Sequence, residues 1–266
     1  MGAVTKVTGH SIVVGGATRT FGLAEPAEGE VGAVLLCLHG TRSRWSEQVR
    51  WSGMARLAGA GAVVAFPEAV RPIASGYEWD HELDLPFLEQ LASELIARFS
   101  PPGGRVCVSG MSGGARMSCV LGAARADLVA AVGAVAGLRS GDGHAASRPV
   151  PILAFHGTAD RINPYRGGST PRWDESVEDS AREWAAANGM PEQPEVVALS
   201  PTLTRTTYGA EGEPGEVTLF TCEGAGHTWP GAHTGLFLRL FLGRTSMEID
   251  ATAKIWDFAR AHADEA

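Results

Sequence analysis

The amino-acid sequence predicts an α/β fold with a mostly parallel central sheet and helices on both faces. Three observations carry that prediction. Short apolar runs bounded by Gly or Pro alternate with longer stretches whose apolar residues recur at helical spacing. Two of the runs, 33–38 and 62–66, are apolar at every position, as strands of a parallel sheet buried on both faces should be. The chain has 266 residues, 44% hydrophobic and 20% charged, which suits a single α/β domain over 1–266.

Taken in order, residues 4–7, 11–14 and 18–24 read as short antiparallel strands that open the sheet. Residues 33–38 (AVLLCL) form a continuous apolar run fit for a central strand, and 62–66 form another, stopped by Pro67. Residues 105–109, 129–136 and 152–155 complete the parallel set, and 216–222 read as a late strand. Between them, Leu88, Leu91, Leu95, Ile96 and Phe99 give 85–99 the period of a helix. Residues 113–124 are small and apolar, as a helix packed tightly on a sheet requires, and 176–187 and 247–262 are further helices. Segments 161–173 and 228–246 read as irregular, substrate-shaping loops.

Charge and composition narrow the function classes. A formal net charge of −8 argues against a nucleic-acid partner, which needs clustered Lys and Arg. No apolar run reaches eighteen residues, so no membrane span is expected. Residues 1–8 lack a charged segment followed by an apolar one, which favours a cytoplasmic location. Cys37, Cys107, Cys119 and Cys222 lie in or beside apolar segments without metal-like spacing and read as buried free thiols. The eight His are scattered, with no H-E-x-x-H or C-x-x-C, so no metal site is expected.

Four motifs carry chemistry, each after a predicted strand. Gly110-Met111-Ser112-Gly113-Gly114 is a G-x-S-x-G between a strand and a helix. A serine on such a strained turn is presented as a nucleophile, and the glycines let neighbouring backbone approach. The helix start then offers backbone N–H groups and a positive dipole end to a developing oxyanion. Leu38-His39-Gly40-Thr41 ends the first central strand, and the Thr41 amide pairs with that of Gly113 as a candidate oxyanion hole. His39 reads as structural.

The run Phe155-His156-Gly157-Thr158-Ala159-Asp160 puts a carboxylate at a strand's carboxyl end, where open α/β sheets build their sites. Asp160 is therefore the candidate acid, ahead of Asp174 and Asp179, and His156 reads as structural. In Gly224-Ala225-Gly226-His227-Thr228-Trp229-Pro230, His227 is the candidate base, ahead of His233. The order Ser112, Asp160, His227 is that of an α/β-hydrolase fold.

Together these motifs resemble the polyhydroxybutyrate depolymerase/feruloyl esterase-like branch of the α/β-hydrolases, close to carbohydrate esterase family 1. The resemblance rests on GATRTF at 16–21, LHGT at 38–41, GMSGG at 110–114 and HGTAD at 156–160 with Asn163-Pro164-Tyr165. It continues through GHTWPG at 226–231, the most specific string, and ATAKIWDF at 251–258. It implies hydrolysis of a carboxylic ester through an acyl-enzyme, with no metal or organic cofactor and with Ser112, Asp160 and His227 as the triad. Many relatives are secreted, act on polymers and carry small residues after the His-Gly. Here Thr41-Arg42-Ser43-Arg44-Trp45 is bulky and basic, which turns the expectation toward a small-molecule ester.

Arg42 and Arg166 are candidate binders of a negative substrate group, against the alternative of solvated surface arginines. Trp229, two residues past His227, is a candidate wall of the site; Trp45, Trp51, Tyr77, Trp79 and Trp173 are further aromatic candidates. Transfer of the acyl group to an acceptor other than water, by an acyltransferase or cyclase, remains open, as does a non-catalytic binding role.

Overall fold

The computed structural model describes residues 6–140, 146–170, 173–233 and 235–263. The chain begins with a hairpin, β1 (Thr8–Val14) and β2 (Ala17–Ala24), followed by β3 (Ala33–Leu38) and helix α1 (Trp45–Ser52). A 3₁₀ segment, Met54–Ala60, leads to β4 (Ala62–Pro67). A small separate hairpin, β5 (Arg71–Ile73) and β6 (Gly76–Glu78), precedes α2 (His81–Phe99). Then come β7 (Val106–Met111), α3 (Gly113–Ala124), β8 (Val129–Val135), β9 (Ile152–Gly157) and α4 (Val177–Ala187). The chain ends with β10 (Glu195–Ser200), β11 (Leu203–Tyr208), β12 (Val217–Cys222), α5 (Leu236–Leu242) and α6 (Ala251–His262).

Ten strands form one sheet in the order β1-β2-β4-β3-β7-β8-β9-β12-β11-β10. The six central strands, from β4 to β12, are parallel, and an antiparallel hairpin flanks each side. Alternate residues of a strand face opposite sides of a sheet. In β3, Val34, Leu36 and Leu38 enter one core with Leu88, Leu91, Met117 and Leu121 of α2 and α3. Ala33, Leu35 and Cys37 enter the other with Met54, Ile255 and Trp256. A strand serving two cores has no polar face, hence the unbroken apolar run.

Side chains terminate the helices where the sequence supplies them. Asp80 accepts from the amides of Glu82 and Leu83 at the start of α2. Ser176 and Asp250 cap α4 and α6 in the same way.

The parallel strands follow the expected boundaries closely, but the periphery differs. Residues 4 and 5 lie outside the described residues, and the opening strands are two rather than three. Residues 45–52, read as part of a loop, form α1. Within 228–246, read as irregular, lies α5. Its sequence, LFLRLFL, has no polar stripe to reveal a helix, and Leu240 and Phe241 are indeed exposed. The β10–β11 hairpin escaped notice because the apolar run of β10, Val196 to Leu199, is short and mostly exposed, and β11 alternates with Thr and Arg.

Candidate active site

Four strand ends, all at the carboxyl edge of the parallel sheet, bring the motifs together. β7 delivers Ser112, which stands at the N-terminus of α3 with φ 55° and ψ −117°. That left-handed region is costly for a residue with a Cβ and marks a constrained turn. The turn is fixed on both sides: the Ser112 amide donates to the Val135 carbonyl (2.9 Å), and the Arg116 amide to the Ser112 carbonyl (3.1 Å). Unlike the residues that cap α2, α4 and α6, Ser112 spends no side-chain hydrogen bond on its helix. The flanking glycines are needed for space. A Cβ at Gly110 would lie 2.5 Å from the Gly114 carbonyl carbon, and one at Gly114 would strike the Leu38 and His39 carbonyls.

β3 delivers the loop 39–43 beside Ser112. A Cβ placed on Gly113 would sit 3.2 Å from the Thr41 amide nitrogen, so the two backbones are neighbours. His39 is fully buried. Its Nδ1 donates to the Gly40 carbonyl (2.8 Å), its Nε2 accepts from the Ala69 amide (3.1 Å), and the Trp79 indole donates to its carbonyl (2.7 Å). Burial pushes its imidazole down to about 4, so it stays neutral and holds the loop as expected.

β9 delivers Asp160 and β12 the loop that carries His227; both side chains are buried. His227 Nδ1 donates to Asp160 Oδ2 at 2.7 Å. The other carboxylate oxygen accepts from the amides of Ile162 (2.8 Å) and Asn163 (2.9 Å). His156 Nε2 lies 3.4 Å from Oδ2. Burial alone would raise the Asp160 carboxyl, but hydrogen bonding to His156 and His227 outweighs it and holds the group well below the usual carboxylate range. The His227 amide donates to the Leu242 carbonyl (2.6 Å) and the Gly226 amide to that of Arg244 (2.8 Å), tying the loop to the end of α5. Asp174 and Asp179, the rival acids, lie elsewhere in ion pairs with Arg139 and Arg182.

Ser112 and His227 open onto one cavity of about 560 Å³, with Thr41, Arg42, Trp51 and Arg116 among its walls. No hydrogen bond joins Ser112 to His227 here, a looseness common in unliganded sites whose catalytic contacts tighten on binding. Trp229 is not a wall of this cavity. It is buried, its indole donates to Thr252 Oγ1 (3.0 Å), and it lines a smaller neighbouring recess with Trp51 and His233. Arg166 is exposed and is not among the cavity walls. Arg116 is, and the sequence reading passed over it. Its signal was available, since residue i+4 of a helix beginning at Ser112 shares the nucleophile's face. Among the described residues no group of three or more His, Cys, Asp or Glu is arranged to hold a metal ion. No described helix is long and apolar enough to cross a membrane.

No family model matches the chain. It is 27% identical over 287 aligned positions to NocK of Nocardia uniformis subsp. tsuyamanensis, a protein assigned as an esterase, covering 96% of this chain and 83% of that one. A shorter match, 28% identical, relates half of the chain to 28% of feruloyl esterase B of Piromyces equi. Among solved structures, acetyl xylan esterase from Aspergillus awamori superposes with a TM-score of 0.63 at 16% identity, covering 83% of this chain and 94% of that one. An α/β serine hydrolase homologue from Coxiella burnetii does so at 0.54 and 15%, covering 91% and 98%. With its parallel sheet, its strand-end site and these neighbours, the chain has the α/β-hydrolase fold.

Proposed function

We propose that the protein is a serine hydrolase that cleaves a carboxylic ester of a small molecule through an acyl-enzyme. The observation that carries this reading is the disposition of three groups: Ser112 and His227 on one cavity, and Asp160 bonded behind His227 at 2.7 Å. Because Asp160 accepts the Nδ1–H, Nε2 is left as the basic nitrogen. In this mechanism Nε2 takes the Ser112 proton as Oγ attacks the ester carbonyl, then gives it to the departing alcohol. Water repeats the sequence on the acyl-enzyme and releases the acid. The amides of Thr41 and Gly113 serve as oxyanion donors, a role supported by their adjacency beside Ser112.

Supporting the ester class are the names borne by the relatives in sequence, NocK and feruloyl esterase B. The latter also supports the finer placement, with the GHTWPG string, in the polyhydroxybutyrate depolymerase/feruloyl esterase-like branch. A cavity of about 560 Å³ is of the size that encloses small ligands.

Ser112→Ala should lower kcat on an activated ester by about 10⁴-fold or more while the protein stays folded. A fluorophosphonate should label wild type at Ser112 and leave the variant unlabelled. Turnover by Ser112→Ala at the wild-type rate would overturn the mechanism.

A further inference from the structure

The cavity wall that begins at Thr41 continues into a residue whose backbone is held in an unfavourable conformation. Arg42 has φ 69°, in the left-handed region that favours glycine. It is not there by default of restraint. The Arg42 amide donates to the Tyr77 carbonyl (2.9 Å) and the Tyr77 amide to the Ser43 carbonyl (3.1 Å), clamping the loop against β6. Gly76 makes the approach feasible, since a Cβ there would lie 2.6 Å from the Arg42 carbonyl carbon. The base of the Arg42 side chain is therefore fixed one residue from a proposed oxyanion donor.

The second arginine lining the cavity is Arg116, in the first turn of α3. A helix N-terminus repels cations, and no acidic residue stands in that turn to compensate. Among the described residues that line the cavity none is an Asp or Glu, in a chain whose net charge is −8. Three carboxylates on the flanking elements are engaged elsewhere. Glu47 accepts from Ser43 Oγ and the Arg44 amide, Glu68 from the Trp45 amide, and Asp160 is bonded to His227. Among the described residues Arg42 makes no ion pair. A cavity lined by two arginines, Arg116 and the exposed Arg42, and by no described carboxylate is matched by a ligand that brings the anion.

We propose that the cavity selects esters carrying a second, anionic oxygen-acid group, a carboxylate being the simplest, bound by the guanidinium of Arg42 with Arg116 alongside. This rests on the ester-hydrolase reading above and names its substrate class. Trp51 and Leu242 supply apolar wall for the remainder of the substrate.

Two matched pairs of esters test it. Ethyl hexanoate and monoethyl adipate differ by a carboxylate on the acyl side; phenyl acetate and 3-acetoxybenzoate differ by one on the alcohol side. Wild type should favour the anionic member of at least one pair in kcat/KM. Arg42→Gln should lower kcat/KM for that anionic ester by about 10- to 100-fold, the strength of a charge-assisted hydrogen bond. The loss on the neutral partner should be at least about 10-fold smaller, so that the preference seen in wild type disappears. Arg42→Lys should recover part of the preference, and added salt should weaken it. Equal kcat/KM within both pairs, or equal losses on neutral and anionic esters in Arg42→Gln, would overturn the assignment and leave the hydrolase reading intact. No turnover of any of the four, together with no fluorophosphonate labelling, would remove both.

Discussion

His39 shows how a single buried imidazole makes the loop after β3 sensitive to acid. Its pKa falls from the ordinary 6.5 to about 4 in the folded chain. Between those values the unfolded chain binds a proton that the folded chain refuses. Stability from this group is therefore complete above pH 6.5 and is lost as pH falls toward 4. The shift corresponds to about 3 kcal/mol at most. Urea unfolding of wild type should show a loss of about 2–3 kcal/mol between pH 7 and 4.5, and His39→Gln, which cannot titrate, should show a flatter profile. At this scale the triad candidates were legible because each lies in a short string after an apolar run. The cavity walls were harder to read. Trp229 sits two residues from His227 in sequence, yet its ring turns into the core and its indole bonds Thr252. Arg116 was hidden in a helix otherwise small and apolar. Sequence proximity to a base says little about which way a side chain faces, whereas helical phase does.

Among the elements, the central strands could be read because burial on two faces forces an apolar residue at every position, as in β3 and β4. The elements that escaped are those whose burial is slight or unpatterned: α5 is apolar but for Arg239, and β10 is mostly exposed. One contact between elements fixes the base. A Cβ at Gly226 would run into the Leu242 carbonyl and sit 2.7 Å from Gly243 Cα, where the end of α5 crosses the His227 loop. Gly226→Ala should therefore displace His227. An expected fall in kcat of about 100-fold or more, with circular dichroism unchanged, checks this, since misplacement by about 1 Å can cost that much.

For the whole molecule, the two cores on either side of the sheet enclose all four cysteines, each a buried thiol outside any disulfide. Burial raises the thiols of Cys37 and Cys222 to about 11. A thiol reagent added to the native protein should titrate close to none of the four, and all four in denaturant; rapid native labelling would contradict this packing. The walls of the Ser112 cavity, in turn, come from residues scattered between Gly40 and Leu242. They meet only when β3, β7, β9 and β12 lie side by side, after long stretches of chain have closed into loops. Closing such loops costs entropy before the contacts repay it, so the site is a late product of folding. Ser112 thus meets His227, its proposed base, only once the segments from β3 to the loop after β12 have folded together.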